Sequence, residues 1–146
     1  MKKTFFSLVL VLIASIGFSF ASPIVNEKVL EAFKKTFYNP QEIQWFENAE
    51  GYEVNFRCDD ANSKVWYDKE GNILRTYRYY NEFKLPPFIS GRVKKRYPDK
   101  NIFGVTEITN AEGVSYYIKL EDEKNWITIK ADSQGFLEVH EKYRKS

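Results

Sequence analysis

Few side chains here could do chemistry, and their spacing argues against most of it. Histidine occurs once, at His140, and cysteine once, at Cys58. Hydrolysis by a nucleophile needs a base beside it and a third group to orient that base; nothing around His140 supplies such a set, so it reads as a strand-surface residue. Ser133 stands in Asp132-Ser133-Gln134-Gly135, a turn sequence without the flanking glycines of a nucleophile elbow. One His and one Cys do not make the usual zinc ligand set, so neither a metal nor a cofactor is expected. Cys58 has no partner for an internal disulfide. Tyr52, Val54, Phe56 and Cys58 alternate with Glu53, Asn55 and Arg57, which puts the thiol on the apolar face of a strand as a buried, inert side chain.

Acidic residues gather at turns. Asp59-Asp60 and Glu121-Asp122-Glu123 occupy corresponding places in the two halves of the chain. Oxygen-rich turns can hold calcium, but these lack the alternating Asp/Asn ligands and closing Glu of an EF-hand loop. Asp68 and Asp132 each begin an Asp-x-x-Gly sequence, where Asp bonds its own local backbone. Two carboxylates can also carry acid/base glycoside chemistry, yet no spacing in this sequence supports it. The chain therefore reads as non-enzymatic.

Aromatic residues give the clearest binding signal. The chain has 3 Trp, 10 Tyr and 12 Phe, and only Phe5, Phe6, Phe18 and Phe20 precede residue 22. Phe33, Phe37, Tyr52, Phe56 and Tyr116 fit an inward pattern. Others fall out of phase with it: if Val65 and Tyr67 point in, Trp66 points out, and the same alternation sends Tyr117 and Trp126 outward. Taking Ile73 as inward, Arg78 and Tyr80 join them, as does Phe136 opposite Leu137. The expected outer face thus combines Trp66, Arg78, Tyr80, Tyr117, Trp126 and Phe136; the alternative is that these side chains pack beneath loops or between the two halves, since a one-residue error of phase swaps the faces. Trp, Tyr and Arg bring large contact area with a polar handle, and they are the types enriched at interface hot spots.

The elements that must position these residues repeat. Asn-Ala-Glu-Gly occurs at 48–51 and again at 110–113. Past this tetrapeptide the halves align at an offset of 64, Tyr52 with Tyr116, Val54 with Ile118, Phe56 with Leu120 and Asp68 with Asp132. The two extra residues fall at Val114 and Ser115. In the first half Val29, Leu30, Phe33 and Phe37 recur at helical spacing behind a candidate N-cap, Asn26, and Asn39-Pro40 stops the helix. Strands are predicted at about 42–47, 52–58, 63–68 and 72–80, separated by turn-rich sequence. In the second half Pro86 and Pro87 open a helix carrying Ile89, Val93 and Tyr97, and strands follow at about 102–109, 114–121, 125–131 and 136–143. The fold class is α+β: a tandem duplication of a helix followed by a four-stranded antiparallel meander, with the helices packed on one sheet face. The repeats span about 26–81 and 86–144, and neither alone is long enough for a comfortable core.

The aromatic-to-proline helix ends (Phe37 to Pro40, Tyr97-Pro98), the Trp45 strand, the Gly51-Tyr52-x-Val54 strand and the Tyr67-Asp68-x-x-Gly71 hairpin resemble the secreted PepSY-like proteins related to β-lactamase-inhibitory protein. The resemblance covers nearly all of residues 22–146. It implies a periplasmic or secreted protein of tandem α/β modules with inhibitory or ligand-binding roles. The second half has Val105 near the position of Trp45 and looks like a diverged copy.

Lys2 and Lys3, the apolar run Phe5–Phe18 and the small residues Ser19 and Ala21 before Ser22 have the form of a secretory signal peptide over residues 1–21. The apolar run is shorter than the ~20 residues that span hydrocarbon. The remaining 22–146 form the expected single domain, periplasmic or secreted, with no stable membrane insertion after cleavage. Of 22 basic and 20 acidic residues two basic ones lie in the leader, so the rest of the chain is formally neutral. A broad field for nucleic acid or anionic membrane is thereby unsupported, and Arg92, Lys94, Lys95 and Arg96 read as a solvated helix face, a local binding patch being the alternative. The expected function is an exported binding module for a protein partner, acting as an inhibitor or regulator. The alternative is a small-ligand carrier with a pocket between sheet and helices.

Overall fold

A computed structural model describes residues 23–146; the expected signal peptide lies outside the described residues. Helix α1 (Glu27–Thr36) precedes strands β1 (Gln41–Glu47), β2 (Tyr52–Cys58), β3 (Ala61–Tyr67) and β4 (Ile73–Tyr80). A short 3-10 turn (Glu82–Lys84) leads into α2 (Pro87–Arg96), followed by β5 (Asn101–Asn110), β6 (Gly113–Glu121), β7 (Asn125–Asp132) and β8 (Leu137–Arg144). All eight strands form one antiparallel sheet in chain order. The two helix-plus-meander units are joined edge to edge through β4 and β5.

Each helix starts and stops where its end chemistry requires. The Asn26 side chain accepts from the Lys28 N–H at 2.9 Å, satisfying an N-terminal donor that has no partner within the helix. Pro87 sits in the first turn of α2, where a missing N–H costs nothing. Val29 and Phe33 of α1 are buried against Tyr52, Val54, Phe56, Val65 and Tyr67. Ile89 and Val93 of α2 are buried against Val105, Ile118, Leu120, Ile127 and Ile129. The register runs Val54–Val65–Thr76–Thr109 and Tyr80–Val105–Ile118–Ile129 across neighbouring strands, so both cores lie on one sheet face and both helices cover it.

The same turn is built twice. Asp68 accepts from the Glu70 and Asn72 N–H groups at 3.0 and 2.8 Å, and Asp132 accepts from those of Gln134 and Phe136 at 2.9 Å each. These bonds hold the Asp68 carboxyl below the usual carboxylate range, the Asn72 side-chain amide contributing most. Gly71 and Gly135 follow with φ of +90° and +78°. A side chain at Gly71 would press on the Lys28 carbonyl of α1, and one at Gly135 on Arg92 and Phe88 of α2. Each turn therefore tucks against its own helix.

Two boundaries differ from the sequence reading. Strand β3 begins at Ala61, because Asp59 and Asp60 alone make the turn, both at positive φ (49° and 54°); this is the two-residue geometry whose twist suits a hairpin. The β5–β6 hairpin pairs Val105 with Ile118 where the first pairs Trp45 with Val54, so both arms between that pair and the Asn-Ala-Glu-Gly turn, not only the β6 arm, are longer than in the first hairpin.

Candidate functional site

The sheet face opposite the helices is where aromatic and cationic side chains meet. In β3 and β4, Trp66 pairs with Arg75 and Lys64 with Tyr77. The Trp66 and Tyr77 ring centres lie 4.9 Å apart with their planes at 64°. The Arg75 guanidinium lies 4.5 Å from the Trp66 ring centre and is held by Glu50 at 3.0 Å. Trp66 is thereby covered, at 9% exposure. Tyr79 stands next along β4 and is exposed.

A second cluster lies across β5–β8. The register shifts between Ile102 and Gly104, and such a bulge re-aims one side chain: Phe103 turns out of the sheet and meets Trp126 edge-on at 5.0 Å. The Lys119 and Lys145 ammonium groups stand 4.5 and 4.4 Å from the Trp126 ring centre, within cation–π range. Tyr117 packs edge-on against His140 at 5.0 Å. Between the two clusters Tyr79, Phe103, Gly104, Tyr117, Lys119 and their neighbours border a depression of about 280 Å³.

Three of the six expected face residues, Trp66, Tyr117 and Trp126, lie on this surface. Arg78 and Tyr80 do not. The register of β3 on β4 shifts between Trp66 and Tyr67, so that Tyr67 pairs with Ile73 while Trp66 pairs with Arg75. One extra residue reverses the alternation, and Ile73 is therefore the wrong reference for the rest of the strand. Arg75, Tyr77 and Tyr79 occupy the helix-free face in place of Arg78 and Tyr80. Arg78 instead pairs with Glu107 at 3.3 Å on the helix side. Tyr80 is buried there and donates its hydroxyl to Glu107 at 2.6 Å. Burial first, and then that bond, pushes the Tyr80 phenol far above its usual range. Phe136 is exposed at the β7–β8 turn beside Arg92, Lys95 and Arg96 of α2, also away from this face. An Arg at position 75 in an otherwise apolar inward row was the signal that its phase was wrong. Phe103 carried no comparable signal, since the bulge at Ile102–Gly104 is not written in residue type; Lys119, between Ile118 and Leu120, follows the alternation that sends Tyr117 outward.

The remaining candidates resolve as structural groups. The Cys58 thiol is half-buried against the first core and lies 3.3 Å from the Tyr38 carbonyl oxygen, to which it donates. Burial, followed by the charge of Asp59, pushes its pKa up. Asp122 accepts from the N–H groups of Lys124 and Asn125 and pairs with Lys100, which holds its carboxyl well below the usual range, Lys100 contributing most. Arg92 donates to the carbonyls of Gln134 and Gly135, and Arg96 to that of Leu137. Two members of the basic helix face thus tie α2 to the β7–β8 turn. Among the described residues no three His, Cys, Asp or Glu side chains converge as a metal site.

Comparison with protein-family models gives no match, and comparison with curated sequences gives none. Solved structures do match. A BLIP-like protein from Bacteroides fragilis superposes with a TM-score of 0.62 at 21% identity, over 83% of this chain and 85% of that one. The chain has the BLIP-like fold. A DUF2874 family protein from Bacteroides ovatus matches with a TM-score of 0.62 at 16% identity, covering 84% and 89% of the two chains. A protein of Bacteroides eggerthii ascribed to the periplasm matches with a TM-score of 0.61 at 16% identity, covering 84% and 90%. The expected resemblance to the inhibitory-protein-like group holds at the level of fold, and so does the expected arrangement of two helices on one face of an antiparallel sheet.

Proposed function

We propose that this protein is an exported, non-enzymatic binding module of the periplasm or cell exterior that recognises a protein partner through its helix-free sheet face, as an inhibitor or regulator of that partner. The observation that carries this reading is the face itself: Tyr79, Phe103, Tyr117 and Trp126 stand among Lys119, Lys130 and Lys145 with no element of the described chain over them. Aromatic side chains with polar handles supply most of the affinity of protein interfaces. Likeness in fold to a BLIP-like protein and to a protein ascribed to the periplasm supports the class and the compartment, as does the leader-like sequence of residues 1–21. The carrier alternative needs space between helix and sheet. Beneath α1 that space is filled by Phe33, Phe37, Trp45, Phe56 and Tyr67, with ring centres 4.6 to 6.3 Å apart.

The test is capture from envelope extract by crosslinking and mass spectrometry, with residues 22–146 as bait and the folded Tyr79→Ala/Tyr117→Ala variant as control. Trp66 is a poorer control position, since it is covered by Arg75 and its removal would cost stability. One protein captured selectively by the wild type and lost by the variant is expected. Equal capture by a folded variant would remove this face from consideration.

A further inference from the structure

The two repeats place different chemistry at the same point of the helix-free face. In the first, Gln44 pairs with Asn55 beside a register shift. In the second, Gly104 pairs with Lys119 beside the equivalent shift. Where the first repeat has an amide side chain, the second has none, and the floor of the depression is bare backbone. A Cβ built at Gly104 would meet only the Tyr80 carbonyl oxygen, 3.9 Å away. The walls are the rings of Tyr79, Phe103 and Tyr117.

Charge on this face is also uneven. Lys64 is paired with Glu53 at 3.0 Å, Arg75 with Glu50 at 3.0 Å, Lys130 with Glu138 at 3.7 Å and Lys145 with Glu121 at 2.9 Å. Lys119 is exposed, and among the described residues it has no carboxylate within ion-pair distance. Its ammonium is held over Trp126 at 4.5 Å and near Phe103 at 5.8 Å. A cation steadied by ring faces keeps its N–H donors for another acceptor, and its side chain has already lost much of the freedom that binding would otherwise remove.

We infer that the depression at Gly104 is the anchor point of this face and takes an apolar or aromatic side chain of an acidic partner segment, whose adjacent carboxylate pairs with Lys119. The inference rests on the proposed function and adds the chemistry of the partner. Shape comes from the missing side chain, and charge from the one lysine of this face left without a carboxylate. The first repeat's equivalent depression shares Tyr79 but is otherwise bordered mainly by polar and charged residues, Gln44, Asn55, Arg57, Asn62 and Lys64 among them, which suits a rim better than an anchor.

The experiment is selection of a phage-displayed library of random peptides, about a dozen residues long and so able to span several strands, against the mature protein. Binding of the selected sequences is then measured as synthetic peptides. Recovered sequences are expected to carry Asp or Glu within two residues of Phe, Trp or Leu. Gly104→Leu, which fills the depression without backbone overlap, is expected to weaken their binding about tenfold or more, as loss of a central anchor does. Lys119→Glu should weaken it similarly, and exchanging the peptide's acidic residue for Lys should restore binding to that variant. Circular dichroism and thermal melting establish that each variant is folded. Peptides lost to Tyr79→Ala/Tyr117→Ala but indifferent to Gly104→Leu and Lys119→Glu would overturn the anchor and leave the face standing. Peptides without an acidic bias would also overturn it. Failure to recover any peptide that uses this face would count against both.

Discussion

Tyr67 is wholly buried in the first core, and its hydroxyl has no hydrogen-bonding partner among the described residues. A buried donor left unmade costs about 1–3 kcal/mol, so Tyr67→Phe is expected to stabilise the protein at pH 8 by about 1 kcal/mol, read by urea denaturation. Burial also pushes the Tyr67 phenol up to about 12. Because its folded-state pKa is raised, the neutral group favours the folded state fully below the ordinary tyrosine value of 10.0. That preference is lost as pH rises from there through about 12, since the unfolded chain ionises first. Tyr67→Phe should therefore flatten part of the stability loss over this alkaline window. Burial raises Tyr80 and Tyr116 as well, so the loss persists in part. A variant less stable at pH 8 would mean that the hydroxyl is satisfied and that the cost lies elsewhere. Residue type alone could not reveal this position: Tyr67 belongs to the inward row that alternation assigns correctly, but whether its oxygen meets a partner depends on α1 and β1, which are distant in the chain.

At the scale of elements, the duplicated Asn-Ala-Glu-Gly turns show what sequence identity leaves open. In both, the Asn side chain accepts from the Glu N–H at 2.9 Å, and the Gly has positive φ, +149° at Gly51 and +119° at Gly113. Their surroundings differ. A Cβ at Gly51 would overlap the Tyr67 carbonyl oxygen, whereas one at Gly113 would meet nothing within 4 Å. Gly113→Ala is expected to cost about 1–3 kcal/mol through backbone strain alone, and Gly51→Ala measurably more, because the β2–β3 pairing must also give way. Equal costs by chemical denaturation would mean that the first turn shifts freely. Helices, turns and the order of strands were legible because each has a local signature: Asn26 and Pro87 at helix starts, Asp68-x-x-Gly71 and Asp132-x-x-Gly135 at turns. Strand faces were legible only as far as alternation ran unbroken. It held for Trp66, Tyr117 and Trp126 and failed at Arg78 and Tyr80, where the register shift lies between the reference residue and the residues inferred from it.

At the scale of the molecule, the two repeats meet through five consecutive pairs of β4 and β5, from Thr76 with Thr109 to Tyr80 with Val105. This seam is more than backbone pairing. Ala61 of the first repeat is buried in the second repeat's core, and Glu107 of the second accepts from both Arg78 and Tyr80 of the first. A unit of roughly 60 residues is marginal when isolated, and a shared seam lets each repeat cover the other's inner edge. We propose that residues 23–146 unfold as one cooperative unit. Its test is hydrogen exchange after Ile129→Ala, a substitution at a fully buried position of the second core that should cost about 2–5 kcal/mol. If the halves unfold together, the most protected amides of β2 and β3 lose as much protection as those of β6 and β7, although Ile129 belongs to the other repeat's core. If β2 and β3 keep their protection, the repeats are separate folding units that happen to share a sheet. The helix-free face depends on this coupling. Tyr79 comes from the first repeat and Phe103, Tyr117 and Lys119 from the second, so a seam that opened independently would disassemble the depression around Gly104 before either core unfolded.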